Sequence, residues 1–289
     1  MPQPAIISLA CQEAPYPFEQ QALAQHIANR FSFSSEKREW LENVFSGTTI
    51  EKRHCILPDF SHIASDLTIE QRNEIYRKEA PKLAFKCAKK ALDEWGGDPK
   101  TLTHILTVTC TGFLTPGLHH LLHQPLGLSP QISCLGINMT GCFGAIKALE
   151  IAKNLANDEN NRILIVAVEL CSLHFHTTPD KESLIANALF ADGAAACVVG
   201  QSDKGRFFLK KHLTTLIANT LPDMAWNLTD KGLRMILSPQ VPHHLSTHLR
   251  HFFPESPESV TFAIHPGGKK IIELIEEQLH LTKEQTKTT

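Results

Sequence analysis

Two hydrophobic rhythms alternate along this chain. Leu23, Ile27 and Phe31 recur at i, i+4 and i+8, and a longer stripe of the same period runs from about Ile69 to Trp95, where Gly96, Gly97, Asp98 and Pro99 stop it. Both segments predict helices, and the amino-terminal third reads mostly as helix. The period then changes. THILTVT, from Thr103 to Thr109, is short, apolar and β-branched and predicts a buried strand; LSPQISCLGIN, 128–138, is a looser strand candidate. Phe143, Ile146, Leu149, Ala152 and Leu155 restore a helical stripe that ends at the polar run NDENN. ILIVAVE, 163–169, is the clearest buried strand, and AAACVVG, ending at Gly200, is another. The charged stretch QSDKGR, 201–206, divides the chain into a first half, 1–203, and a second half, 204–289. In the second half FFLKKHLTTLI and SVTFAIH predict strands, and Ile271, Ile275 and Leu279 predict a helix. Strands alternating with helices define an α/β class with helices covering the sheet faces.

Charge and composition exclude more than they assign. With 28 basic and 30 acidic residues the formal net charge is −2, so no general field draws nucleic acid or an anionic membrane surface. The first residues lack a basic start followed by an apolar core, and no apolar run is long enough to span a bilayer, so the expected location is cytoplasmic. The eight cysteines contain no CxxC pair and lie in segments that read as core, which suits a reducing compartment.

Two residues carry candidate chemistry. Cys142, in NMTGCFGAIKALE, falls between a strand and a helix, where backbone N–H groups and the helix dipole favour a thiolate and offer an oxyanion hole. Gly141 and Gly144 let a substrate approach the backbone. On these grounds a nucleophile and a packed core cysteine stand side by side. His265 closes SVTFAIH and opens HPGGKK, at the carboxyl end of an expected strand, where an imidazole can activate a thiol or donate to an enolate. A turn histidine at the start of a helix is the alternative. His119 with His123, and His244 with His248 and His251, have helical spacing, but no Asp, Glu or Cys nearby completes a metal site, so surface histidines are expected and no metal is assigned. Neither GxGxxG after a strand nor GxxxxGK[ST] occurs.

TCTGFLTPG, GINMTGCFGA, SLIANALFADGAAACVVG and FAIHPGG, in this order and spacing, resemble the successive signatures of type III polyketide synthases, the chalcone and stilbene synthase group of the thiolase-like superfamily. The resemblance runs from about residue 37 to the carboxyl terminus. It implies a layered αβαβα fold of two related halves and a homodimer acting on acyl-CoA and malonyl-CoA, with CoA thioesters as substrates and no resident cofactor. Cys142 would take the acyl starter from CoA, and His265 would help keep the thiolate and assist malonyl-CoA decarboxylation, a role the family shares with an asparagine. Phe190 and Met235 match gatekeeper positions, Met235 being aromatic in plant members, although Phe190 also suits a core aromatic. Cys110 and Thr111 match cavity-lining positions, Gly267 and Gly268 leave room for the thioester, and Thr115 lies where the family reaches across its dimer interface.

The pattern departs from the family twice. Asn43 and Gly47 stand near the basic residues that meet CoA phosphates in plant members, so Lys37, Arg38, Lys52 or Arg53 would have to substitute, each equally readable as surface charge. The stretch 266–289 contains no asparagine, so an incomplete second half is expected, with slow acyl loading at most and little decarboxylation. Three readings follow: a type III polyketide synthase-like acyltransferase, a β-ketoacyl-ACP synthase III-like condensing enzyme, and an impaired remnant that binds acyl-CoA or a partner subunit.

Overall fold

A computed structural model describes residues 1–63, 66–176, 178–253 and 261–287. In chain order the elements are β1 (Gln3–Glu13), β2 (Tyr16–Glu19), α1 (Gln20–Arg30), α2 (Ser35–Gly47), β3 (Lys52–Cys55), α3 (Phe60–Ile63) and α4 (Ile69–Trp95). Then come β4 (His104–Thr109), α5 (Leu118–His123), β5 (Ser133–Asn138), α6 (Gly144–Leu155), β6 (Arg162–Leu170), α7 (Lys181–Leu189) and β7 (Asp192–Ser202). Last are β8 (Phe207–Phe208), β9 (Met224–Thr229), β10 (Gly232–Leu237), α8 (Val241–Phe252) and α9 (Lys269–Leu279).

The central sheet has the order β5-β4-β6-β7-β1-β8, with β4 parallel to both β5 and β6 and the other pairs antiparallel. The near-continuous apolar run of β6 follows from being covered on both faces. Leu164, Val166 and Val168 face the cluster that includes Tyr76, Ala80, Ala84 and Ala88 of α4. Ile163 and Ile165 face the cluster that includes Ala148 and Ala152 of α6. Alanines at these helical positions let both helices lie close to the sheet. The start of α4 is fixed by a capping box, Thr68 accepting from the Gln71 N–H while Gln71 reaches back to the Thr68 N–H, and its end by Gly96 at φ +71°.

Three strand expectations change. β1 is a long strand in a region read as mostly helix; small residues such as Ala5 and Ser8 weaken its pattern, and its partners, β7 and β8, lie almost two hundred residues away. Of FFLKKHLTTLI only Phe207–Phe208 becomes strand, because the Ala5–Ile6 edge of β1 offers it backbone partners only there. SVTFAIH lies partly outside the described residues, and its described part, residues 261–265, is irregular rather than strand; its Phe262 N–H donates to the Gln285 carbonyl. In the second half β9 and β10 form a separate two-stranded sheet, and α8 packs on α9.

Arg53, one of the candidate phosphate ligands, is buried and acts on the fold instead. Its guanidinium donates to Gln20 Oε1 at 2.8 Å and to the carbonyls of Asn187, Ala188 and Phe190 at 2.8, 2.6 and 2.6 Å, closing the carboxyl end of α7. Desolvation lowers its pKa to about 10, and Asp192 supports its charge. Replacing it with leucine strands those carbonyls, so Arg53→Leu is expected to lower stability by about 3 kcal/mol or more, read as a fall in the urea unfolding midpoint. An unchanged midpoint would show that α7 does not depend on this side chain.

Candidate active site

Parallel pairing of β4 with β5 and β6 brings three carboxyl ends together: Cys110 and Thr111 after β4, the turn Met139–Gly141 after β5, and Cys171–His174 after β6. The turn after β5 needs its glycines. Gly141 has φ +87°, and a Cβ on Gly144 would lie 2.6 Å from Thr140 Oγ1 and 2.8 Å from Val108 Cγ1. Gly144 therefore serves the packing of α6 against β4 rather than the approach of a substrate.

Cys142 is exposed as a residue and precedes Phe143, the N-cap of α6. Its sulfur nevertheless has desolvating surroundings. That effect, which its own backbone N–H opposes and the charge of Glu169 reinforces, raises the thiol pKa, whereas the helix-terminus argument alone predicts a lower one. The Gly141 N–H donates to Cys110 Sγ at 3.2 Å, which removes one expected oxyanion donor.

Glu169 organises this end of the sheet. Its carboxylate accepts the Cys110 N–H at 2.8 and 3.0 Å and the Thr111 hydroxyl at 2.6 Å, while Thr111 Oγ1 accepts the Leu170 N–H at 2.9 Å. Although the residue keeps some exposure, desolvation of the carboxyl outweighs these donors and raises its pKa to about 7. Cys171 stands in the same cluster, its thiol pushed well above its ordinary pKa by desolvation.

Behind this cluster Cys171, His174, His176, Phe190 and Trp226 contribute to the walls of a cavity of about 20 Å³. Phe190 ends α7, and its ring centroid is 5.7 Å from that of Trp226 on β9. Met235 on β10 is buried and stands opposite Trp226 in the hairpin register. Cys110 and Thr111 thus support the wall through Glu169, and Phe190 forms part of it.

His265 lies in an exposed irregular segment before α9, with its imidazole pKa lowered by desolvation. Among the described residues no hydrogen bond joins it to Cys142. Its carbonyl accepts the Gly267 N–H at 2.9 Å, and Gly268, at φ +144°, is the N-cap of α9. Gly268 lines a second cavity, of about 400 Å³, with Thr48, Leu189, Pro266, Lys269 and Lys283. Lys37 and Arg38 are engaged with the Pro179 carbonyl and Asn29 Oδ1, and Lys52 pairs with Glu19. Thr115 is exposed. His119 contacts Thr107 Oγ1, His123 contacts the Ser129 carbonyl, and His244 pairs with Asp223; His251 has no described side chain. Among the described residues no three His, Cys, Asp or Glu side chains are placed to hold a metal.

Sequence reasoning missed Glu169, Cys171, His174, His176 and Trp226. Glu169 carried a signal, a carboxylate closing the apolar run ILIVAVE at the carboxyl end of a strand. Trp226 carried none, because only the hairpin's position puts it opposite Phe190.

The turn that carries Cys142 lies at the carboxyl ends of parallel strands, in a sheet covered by helices on both faces, and this arrangement is that of the thiolase-like folds. The family model for chalcone and stilbene synthases, N-terminal domain, matches residues 19–203, and the chain belongs to that family. Probable polyketide synthase 1 of Dictyostelium discoideum is 31% identical over 94% of this chain, which spans 9% of that protein's length. The C-terminal type III polyketide synthase domain of Steely1, a type I/III hybrid from Dictyostelium, superposes with a TM-score of 0.92 at 29% identity, over 99% of this chain and 85% of that one. PKS-I from the brown alga Ectocarpus siliculosus shares the fold, with a TM-score of 0.90 at 22% identity, over 99% of this chain and 83% of that one. Among the described residues no helix is long and apolar enough to cross a membrane.

The raised Glu169 pKa has a definite sign in stability. The folded state holds this proton more tightly than the unfolded chain, so the stabilisation is full below pH about 4.5 and is lost as pH rises through about 7. Relative to Glu169→Gln, wild type is expected to lose roughly 2 kcal/mol between pH 5 and pH 8, with the partial exposure of the residue allowed for, in urea unfolding at both values. A constant difference would place the carboxylate in water.

Proposed function

We propose that this chain is a type III polyketide synthase-like acyltransferase that loads an acyl group from a CoA thioester onto Cys142 and extends it with malonyl-CoA. The observation that carries this reading is the Cys142 turn, which presents a thiol at the head of α6 within the field of Glu169 and tied to Cys110 through the Gly141 N–H. In the first step the Cys142 sulfur attacks the thioester carbonyl and the CoA thiolate leaves, so one thioester is exchanged for another. In the second, malonyl-CoA loses carbon dioxide, and the resulting enolate attacks the acyl carbonyl and releases the Cys142 thiolate. A thiol with a raised pKa needs a proton acceptor for the first step, and His265 is the group assigned to it.

The cavity of about 400 Å³ next to Pro266, lined by Gly268, Lys269 and Lys283, is the candidate site for the CoA portion; its lysines pair with Glu273, which also lines it, and with Glu276, pairs that an incoming phosphate would have to replace. A homodimer is supported by the β5 edge, unpaired among the described residues, and by the exposed Leu121, Leu135, Met139 and Phe143 beside it. Eight free thiols favour a reducing, cytoplasmic setting.

Incubation with a panel of acyl-CoA thioesters is expected to add one acyl group to the intact mass of wild type and none to Cys142→Ala. An adduct that survives in Cys142→Ala moves the nucleophile elsewhere. Labelled malonyl-CoA separates the readings: carbon dioxide release without a carrier protein supports the polyketide type, a strict need for carrier protein supports the ketoacyl synthase type, and loading without release leaves an acyl-binding protein.

Acyl size is assigned to Trp226, whose indole occupies space next to Phe190 and leaves room for about one water. Trp226→Ala is expected to shift the ratio of loading rates about tenfold or more toward longer acyl-CoAs, each added methylene in a fitted pocket being worth about 1 kcal/mol or more. An unchanged ratio would remove Trp226 from the acyl path.

A further inference from the structure

His174 and His176 follow the strand that carries Glu169, and both are buried. The ring of His174 has each nitrogen engaged: Nδ1 accepts the Leu233 N–H at 3.1 Å, and Nε2 meets the Thr111 carbonyl at 2.7 Å. A backbone N–H only donates and a carbonyl only accepts, so the ring must be neutral with its proton on Nε2. Nε2 of His176 donates to the carbonyl of the same Leu233 at 2.7 Å. The His176 backbone is held in turn by Asn187, which accepts its N–H at 3.3 Å and donates to its carbonyl at 2.9 Å.

Leu233 belongs to β10, whose only neighbouring strand among the described residues is β9. Two imidazoles therefore satisfy the backbone groups that a third strand would otherwise take. The approach is close, since a Cβ on Gly232 would lie 3.1 Å from His174 Nδ1 and 3.2 Å from Arg72 Cδ, and Gly232 has φ +119°. At its turn the hairpin is held further by the Ile69 N–H on the Asp230 carbonyl at 2.8 Å and by Lys231 on Asp66 at 2.8 Å. Trp226 and Met235, opposite each other in register, ride on this hairpin.

We infer that His174 and His176 form a two-point clamp on Leu233 that fixes the β9–β10 hairpin in register, and that through Trp226 and Met235 this clamp sets which acyl groups the site accepts. Both are positioning residues, and the inference rests on the acyl site proposed above. Two further observations agree with it. Desolvation pushes His174 down to about 4, in agreement with the neutral ring that the Leu233 N–H requires, and also lowers the pKa of His176. The facing charges, Arg72 from α4 and Arg234 from β10 against Asp180 before α7, oppose protonation of His176 on balance, and Arg72 opposes that of His174.

The clamp is tested with His176→Ala and with His176→Gln, whose amide reaches far enough to donate to the Leu233 carbonyl. Deuterium exchange at residues 232–234 is expected to quicken at least tenfold in His176→Ala and to return toward wild type in His176→Gln. The ratio of kcat/KM for short against long acyl-CoAs is expected to fall about tenfold in His176→Ala, through KM, and to be restored by His176→Gln. If His176→Ala does not fold, His176→Asn, too short to reach Leu233, replaces it with the same expected results. Wild-type exchange in a folded variant overturns the clamp, and faster exchange with unchanged acyl preference overturns its role in specificity. Failure of wild type to load any acyl-CoA overturns the acyl reading and with it the specificity role, while the exchange measurement still decides the clamp itself.

Discussion

The candidate site depends on one carboxylate. Glu169 takes the Cys110 amide and the Thr111 hydroxyl at once, and Thr111 passes the link back to the Leu170 amide, so the ends of β4 and β6 are tied side by side. Without that tie each strand end would have to bury an unsatisfied polar group or turn toward water, at a cost of about 1–3 kcal/mol for each group. Cys110, held there, receives the Gly141 N–H and so fixes the turn that presents Cys142. The Cys142 turn, the cavity wall and the hairpin all refer to the same strand ends.

Buried charge is used sparingly, and each buried charge lies where backbone groups would otherwise go unpaired. Arg53 closes the carboxyl end of α7, whereas Asp192 accepts the Ile56 and Ser172 N–H groups at 2.6 and 2.7 Å. Desolvation acts on them in opposite senses, lowering Arg53 to about 10 and raising Asp192 to about 6. Both are oriented by hydrogen bonds to the main chain, and α7, which ends in Phe190, inherits that rigidity. A wall residue placed by buried backbone contacts holds its position better than one on a free loop.

The hairpin shows the same economy in neutral form. Imidazole is both donor and acceptor, so His174 can join the Thr111 carbonyl to the Leu233 amide, which a lysine or a carboxylate cannot do. The cavity is consequently bounded by elements from both halves of the chain, with Phe190 from one and Trp226 from the other.

Much of the first half was legible because its elements are long and periodic. α4 occupies the stretch its stripe marks out, and β4, β6 and β7 sit on the apolar runs, since a strand covered on both faces must be apolar throughout. The turn and helix start around Cys142 were legible from the glycines and the stripe that follows, whereas its role was not, a nucleophile and a core cysteine standing side by side on those grounds. β1 was not, because small residues such as Ala5 and Ser8 give a weak pattern and its identity as a strand comes from β7, almost two hundred residues away. The strand expected before His265 did not form among the described residues, since apolar content supplies no hydrogen-bonding partner. Local periodicity and four ordered motifs thus determined the family, the helix and strand types and the position of the turn that carries Cys142. The titration of Cys142 and Glu169, the burial of Arg53 and the meeting of Trp226 with Phe190 were decided by tertiary structure, because desolvation and side-chain contact depend on which distant segments pack together.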